Sequence, residues 1–150
     1  MSKYSKGFTL IELIATMVIA SILASSLITG YRTYNEWLKV NEEILNMVNT
    51  LRQARDYCIE ANENFYLSID TGADTYTLEY KTDNNALTLP GETSNVFTMP
   101  SFVDFTASTG ITDLKFNILG EPSATETITI NTDERTIEIV YPTGYIYAHN

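Results

Sequence analysis

The chain has 150 residues, 44% of them hydrophobic and 11% aromatic, and its formal net charge at pH 7 is -10. This length fits one domain with a modest core plus an apolar arm, and it argues against two domains. The region after residue 31 holds 18 of the 19 acidic residues and seven of the nine basic ones. The net negative charge of this region disfavours binding to nucleic acid or to an anionic membrane surface.

The sequence offers little for catalysis or metal binding. Cys58 is the only cysteine and His149 the only histidine. A single cysteine excludes an intrachain disulfide and any multi-cysteine metal or iron–sulfur site. A zinc site or a Cys/His pair would need a residue beside the C-terminus. With no glycine-rich phosphate loop, nucleophile elbow or acid/base dyad, we predict no enzyme, no cofactor and no metal.

The N-terminal segment is apolar enough to enter a bilayer. Phe8–Tyr31 is 24 residues long and its only formal charge is Glu12. At about 1.5 Å per residue it can cross a hydrocarbon core of about 30 Å. Lys3 and Lys6 precede it, so the leader should stay in the cytoplasm and the rest should be exported. The alternatives are a signal peptide and a plain membrane anchor. Against a signal peptide, the sequence has no small-x-small cleavage pattern followed by a break in the helical pattern. Against a plain anchor, the burial of Glu12 would be unexplained.

The stretch "KGFTLIEL" resembles the processing motif of the type IV pilin superfamily. The resemblance implies that residues 1–7 are a leader peptide, which prepilin peptidase removes by cutting between Gly7 and Phe8. It also implies that the new amine of Phe8 is methylated and that Glu12 becomes the fifth residue of the mature chain.

A role in assembly for Glu12 follows from this resemblance. After cleavage Phe8 has a free amine, which is cationic near neutral pH, at a helix N-terminus where the macrodipole is also positive. In the family this glutamate is thought to meet the N-terminal amine of a neighbouring subunit, which would set the register of assembly. The alternative is a carboxylate that only snorkels to the membrane surface.

Beyond Tyr31 the apolar residues follow the three-and-four spacing of an amphipathic helix. They are Trp37, Val40, Ile44, Met47, Val48, Leu51, Ala54 and Cys58. No proline interrupts residues 8–62, and Gly30 is the one weak point, where a bend is plausible. We predict one helix to about Asn62, with residues 8–31 transmembrane and the remainder forming the spine of a globular domain over 32–150.

From Phe65 the pattern changes to the alternation of strands. "FYLSID" and "YTLEYK" flank "TGAD" and predict a hairpin with its loop around Gly72. "LTLPGETSNVFTMPSFVDF" predicts short strands and loop, and the region after it offers four strand candidates. Their turns are predicted near 120–122, 131–134 and 142–144. The predicted fold is α+β, a long N-terminal helix packed on a mainly antiparallel sheet.

The later segments sharpen the resemblance. "LRQARDYCIEANENFYLSID", "LKFNILGEPSATETITI" and "IEIVYPTGYIY" are similar to the FimT/GspH branch of minor pilins and pseudopilins. Two departures matter. The C-terminus lacks a basic tail, which argues against the DNA-binding role linked to some FimT proteins. The lone cysteine differs from the disulfide-closed loop of many Gram-negative major pilins, which favours a minor subunit, a pseudopilin or a Gram-positive source.

Two acidic pairs lie near predicted turns, Asp70 with Asp74 and Asp133 with Glu134. Neither pair has the spacing of a dedicated calcium loop, so turn formation is the favoured interpretation and a calcium site the alternative.

The helix arginines and the later tyrosines have structural interpretations as well. Arg52 and Arg55 lie near Asp56 and Glu60, which predicts pairing along the helix. The tyrosines of the second half are more typical of strands and core than of a platform for stacking bases.

These observations predict a non-enzymatic assembly subunit, a minor pilin or pseudopilin of a type II secretion pseudopilus or type IV pilus. It would span the cytoplasmic membrane once, with its C-terminal domain exported to the periplasm or cell surface. Expected partners are prepilin peptidase, other pilin-like subunits and the inner-membrane assembly platform. The alternatives are a competence pseudopilin for DNA uptake, a tip adhesin or DNA-binding module using the tyrosine-rich loops, and an anchored exported enzyme.

Overall fold

The structure is a computed structural model that describes residues 9–80, 85–106, 111, 113–131 and 135–149. In these residues one long helix precedes eight strands, which is the predicted α+β order. The elements are α1 (Leu10–Ala61), β1 (Phe65–Asp70), β2 (Thr75–Tyr80), β3 (Asn85–Ala86), β4 (Val96–Thr98), β5 (Leu114–Phe116), β6 (Glu126–Ile130), β7 (Arg135–Val140) and β8 (Tyr145–His149). The chain divides into two compact units, Met1–Lys39 and Val40–Asn150.

Helix α1 ends close to its predicted limit, and its end has a local cause. Asn62 adopts a left-handed conformation with φ of 57°. Its N–H donates to the carbonyl of Ile59 at 3.2 Å, and the N–H of Glu63 donates to the carbonyl of Cys58 at 3.0 Å. This Schellman arrangement satisfies carbonyls that the last turn leaves unpaired, so the helix stops after Ala61. The helix runs through Gly30 without a break, and its predicted start at Phe8 lies outside the described residues.

The second unit is built around the predicted apolar face of α1. Its buried helix residues are Val40, Ile44, Met47, Val48, Leu51, Ala54 and Cys58. The prediction that Trp37 belongs to this buried face is wrong, because its side chain is 46% exposed. Trp37 has the right spacing but belongs to the first unit, and the buried stretch of the helix begins three residues later, at Val40.

The strands form two antiparallel sheets rather than the one predicted. The first has the order β3-β2-β1-β5, with β4 also paired to β2, and the second has the order β6-β7-β8. The hairpin of β1 and β2 turns through Thr71–Asp74, as predicted around Gly72. The four strands predicted after Leu114 are all present as β5 to β8. Part of the turn predicted at 131–134 lies outside the described residues.

Alternate side chains of the strands are buried and complete the hydrophobic core. In β1 the side chains of Phe65, Leu67 and Ile69 point inward, as a period of two requires for a sheet covered on one face. Phe65 stacks on Phe116 of β5 with ring centroids 4.4 Å apart. The thiol of Cys58 is fully buried, and this burial raises its pKa to about 11. The single cysteine therefore serves as a core residue.

The helix arginines bind the last hairpin as well as an acidic neighbour. Arg55 pairs with Asp56 at 3.0 Å, as predicted, but its Nη1 also donates to the carbonyl of Gly144 at 2.6 Å. Arg52 Nε donates to the carbonyl of Ile146 at 3.0 Å. The sequence-based interpretation was therefore incomplete, because the carbonyl acceptors are about 90 positions further along the chain.

The acidic residues at the first hairpin accept backbone hydrogen bonds, Asp70 within the turn and Asp74 from a distant segment. Asp70 Oδ1 accepts hydrogen bonds from the N–H groups of Gly72 at 2.8 Å and Ala73 at 3.1 Å. Asp74 Oδ1 accepts from the N–H of Phe105 at 2.9 Å. Asp133 and Glu134 lie outside the described residues. Within the described part of the chain, no group of three or more His, Cys, Asp or Glu is placed to hold a metal ion.

Candidate functional site at the start of the helix

The first turn of α1 is closed by three reciprocal hydrogen bonds between Thr9 and Glu12. Glu12 Oε2 accepts from the backbone N–H of Thr9 at 2.9 Å and from its hydroxyl at 2.8 Å. In return, Thr9 Oγ1 accepts from the N–H of Glu12 at 3.3 Å. This is a capping box, with Thr9 as the N-cap and Glu12 as the third helical residue. It satisfies two backbone donors that the first turn would otherwise leave unpaired.

The capping box holds a carboxylate at the positive end of the helix. The macrodipole favours an anion there, and the capping bonds fix where Glu12 presents it. Glu12 is exposed, so a group from outside the chain can reach it. Among the predicted site residues, Gly7 and Phe8 lie outside the described residues. Glu12 is therefore the one whose surroundings the structure shows.

Glu12 is identifiable from its lone charge, whereas Thr9 was missed. The signal was present in the sequence, since a Thr followed three residues later by Glu, just before an apolar run, is the signature of a capping box. Thr9 therefore joins Glu12 as a candidate site residue, because it determines the position of the carboxylate.

The helix that follows carries an exposed apolar surface. Large apolar side chains between Leu10 and Ile28 are about half to three-quarters exposed, including Leu10 at 78% and Leu27 at 73%. Within α1 an 18-residue window reaches a mean hydropathy of 2.2, and none of it is buried. Length and composition therefore allow this helix to cross a membrane, as a signal sequence near an N-terminus also would.

The hydroxyl groups of this segment are satisfied inside the helix. Each Ser and Thr side chain from Thr16 to Thr33 donates to a backbone carbonyl three or four residues earlier. The donors are Thr16, Ser21, Ser25, Ser26, Thr29 and Thr33. A hydroxyl bonded in this way needs no water, so it can sit in hydrocarbon at little cost. The polar residues of the segment are therefore compatible with a lipid environment.

Comparison with known families identifies the N-terminal motif. The prokaryotic N-terminal methylation motif matches residues 2–28, a range that contains both the predicted cleavage point and Glu12. No significantly similar sequence was found among curated proteins.

Comparison with solved structures identifies the fold. The type IV minor pilin FimU of Pseudomonas aeruginosa strain PAO1 superposes with a TM-score of 0.58 and 11% identity, covering 78% of this chain and 92% of FimU. The minor pseudopilin EpsH of the Vibrio cholerae type 2 secretion system superposes with a TM-score of 0.55 and 15% identity, covering 73% of this chain and 95% of EpsH.

Motif and fold together confirm the resemblance found in the sequence. The chain carries a prepilin-type N-terminal motif, and its long helix with antiparallel sheets is the fold of type IV minor pilins and minor pseudopilins.

Proposed function

We propose that this chain is a non-enzymatic subunit of a type IV pilus or type II secretion pseudopilus, incorporated as a minor pilin or pseudopilin through its N-terminal helix. The observation that carries the proposal is the position of Glu12. The carboxylate occupies the first turn of an exposed apolar helix, inside a methylation motif, in a chain with the fold of minor pilins and pseudopilins.

Processing is the first proposed step. Prepilin peptidase cuts between Gly7 and Phe8, and the amine of Phe8 is then methylated. Residues 8–31 hold the chain in the cytoplasmic membrane in a single pass, and residues 32–150 form the exported domain. The well-satisfied hydroxyls and the apolar exposed surface of the anchor support this division.

Assembly is the second proposed step. The carboxylate of Glu12 pairs with the cationic amine of Phe8 on a neighbouring subunit, in surroundings where low dielectric makes the attraction strong and an unpaired charge costly. Thr9 keeps the carboxylate in place before the neighbour arrives. The exposed apolar residues of the helix then pack against the helices of other subunits at the assembly platform. No step of this scheme needs a cofactor or a catalytic residue.

Intact-mass analysis of protein extracted from membranes tests processing. In a host with active prepilin peptidase we expect a chain of 143 residues, since seven of the 150 are removed, with the mass of one added methyl group. The matched control is the same host without the peptidase, in which the full chain should persist unmethylated. A chain that keeps residues 1–7 despite an active peptidase would contradict the proposal.

A further inference from the structure

Three aromatic side chains project from α1 just beyond its apolar stretch. Tyr31, Tyr34 and Trp37 are 69%, 59% and 46% exposed. Their spacing of three residues keeps them on adjoining parts of one helix face. Tyr34 and Trp37 stack with ring centroids 6.2 Å apart and planes 11° apart. We call Tyr31–Trp37 the aromatic segment.

The depth of the aromatic segment follows from helix geometry. Glu12 should stay near the cytoplasmic boundary, because an ionised group avoids the hydrocarbon. Twenty residues counted from Leu13 span about 30 Å and end at Arg32, at the opposite boundary of the hydrocarbon. Trp37 lies about 8 Å further along the axis. Helix side chains lean toward the N-terminus, so its indole hangs back toward the membrane, at the level of the lipid headgroups.

The side chains of the aromatic segment are of the types that favour the lipid headgroup region. Trp and Tyr rings prefer the membrane interface because one end is apolar and the other is polar. A shallow groove of about 560 Å³ runs along Gly30, Thr33, Tyr34 and Trp37. A Cβ built on Gly30 would meet nothing within 4 Å, so the groove is open there.

A cation within the aromatic segment favours lipid over a protein partner. Arg32 is exposed, and at 100° per residue it lies on the side of the helix away from Tyr34 and Trp37. A single packed helix would cover one of these faces. Lipid surrounds the helix, so its headgroups can meet both faces: the guanidinium can snorkel outward to phosphate, and the rings can pack within the headgroup region.

We propose that Tyr31, Arg32, Tyr34 and Trp37 form an interfacial anchor that binds phospholipid headgroups of the outer leaflet of the cytoplasmic membrane before assembly. This inference rests on the single-pass topology of the proposed function. It adds a second contact to the anchor, one that fixes the depth at which the helix leaves the bilayer.

Trp37 is the only tryptophan in the chain, so its fluorescence reports on this segment alone. The full chain is reconstituted in phosphatidylcholine vesicles whose acyl chains carry bromine either near the glycerol or near the terminal methyl group. We expect quenching by the shallow bromine to be about twofold or more above that by the deep one, together with weak quenching by aqueous acrylamide.

Two variants calibrate the measurement. Trp37→Phe combined with Ile19→Trp places the probe inside the apolar stretch, about 9 Å beyond Leu13, and should be quenched by the deep bromine more than Trp37 is. Trp37→Phe combined with Leu45→Trp places it on the second unit, where Leu45 is 48% exposed, and should respond to acrylamide only.

The outcomes separate this inference from the proposed function. If Trp37 behaves like the Leu45 probe while the Ile19 probe is quenched by lipid, the anchor is overturned and the membrane span stands. If Trp37 becomes shielded only when other pilin-like subunits are added to the vesicles, the face binds a protein helix and the lipid assignment is wrong. If neither bromine quenches the Ile19 probe, the chain does not span the bilayer and both proposals fail.

Discussion

Arg55 and Gly144 are joined by a hydrogen bond of 2.6 Å, from Nη1 of the guanidinium to the carbonyl oxygen, which ties the helix to the hairpin of β7 and β8. Gly144 has a positive φ of 64°, and Gly120, in the turn before β6, has one of 75°. A Cβ at Gly144 would overlap the carbonyl oxygen of Gly120. Two turns and one helix residue therefore meet where there is no room for a side chain.

This crowding predicts a large loss of stability for Gly144→Ala, about 3 kcal/mol or more in the free energy of unfolding, since a backbone carbonyl cannot move aside cheaply. Gly91→Ala is the matched control. Its φ of 94° is also unfavourable for alanine, but a Cβ there would meet nothing within 4 Å. The control should lose only about 1 kcal/mol. Equal losses in urea unfolding of the two variants would show that backbone conformation, not crowding, decides the cost.

Glu12→Ala should impair assembly and leave membrane insertion intact. The substitution makes the anchor more apolar, so insertion should survive, and cleavage should survive because Glu12 lies beyond the Gly7–Phe8 bond. Incorporation should fall because the amine of a neighbour loses its partner. The measurement compares the processed membrane pool with sheared filament or with crosslinks to other subunits. Glu42→Ala, which removes an exposed carboxylate outside the apolar stretch, is the control.

The capping box predicts an intermediate effect for Thr9→Val. This variant keeps the charge of Glu12 but removes both hydrogen bonds of the Thr9 hydroxyl, the one it donates and the one it accepts. Loss of an N-cap of this kind costs about 1 kcal/mol of helix stability. Incorporation should fall less than for Glu12→Ala, and Thr9→Ser should restore it. Wild-type incorporation of Glu12→Ala would mean that the carboxylate only snorkels, and wild-type incorporation of Thr9→Val would remove the positioning role of Thr9.

Stability should fall at alkaline pH because of two buried acids. Burial raises the pKa of Cys58 from 9.0 to about 11 and that of Tyr76 from 10.0 to about 12. Both groups favour the protonated form in the fold. Their stabilisation is complete below about pH 9 and is lost as the pH rises toward the folded-state pKa, by at most roughly 3 kcal/mol per group. Thermal unfolding of the detergent-solubilised chain at pH 7, 9 and 10.5 would measure this.

A variant isolates the contribution of the thiol. Cys58→Ala should be less stable than wild type at pH 7, because it opens a cavity, but its stability should depend less steeply on pH above 9. Parallel pH profiles for the two proteins would show that the thiol does not contribute.

The acidic globular domain should bind duplex DNA only weakly. A DNA-binding patch would need a local cluster of cations such as Lys81, Lys115 and Arg135, but Arg135 is only 7% exposed and Lys81 lies outside the described residues. A fragment starting near Tyr31 should bind with a Kd of about 10⁻⁴ M or weaker at physiological salt. Micromolar binding with a steep salt dependence, measured by titration at two salt concentrations, would favour the competence or DNA-receptor alternatives.

The fold was largely predictable because its signals are local. The buried face of α1 follows from apolar residues three and four apart, and β1 and β2 follow from alternation on either side of a turn with glycine. The split into two sheets was not predictable, since pairing such as that of Phe65 with Phe116 joins segments 51 positions apart. Trp37 was misassigned for a related reason. Periodicity identifies a face of a helix but not how far along the helix the rest of the protein covers that face.

For the candidate site and the helix arginines as well, local signals were predictable and long-range contacts were not. Glu12 was recognisable because an ionised group in an apolar run is costly unless something offsets it, and Thr9 could have been found from its spacing to Glu12. The bonds from Arg52 and Arg55 to the hairpin could not have been found, because a carbonyl acceptor carries no side-chain signature in a sequence.

Those two arginines also bear on how the domain avoids unwanted polymers. Among the described strands, β8 has a neighbour on one side only, and an open strand edge is a template for pairing with a strand from another molecule. The carbonyls of Gly144 and Ile146 are already occupied by guanidinium groups from the helix. Gly144 directly precedes β8 and Ile146 lies within it, so a foreign strand would have to displace Arg52 to pair with that part of the edge. The guanidinium groups of the chain's own helix thus protect the start of this edge against pairing with strands of other molecules.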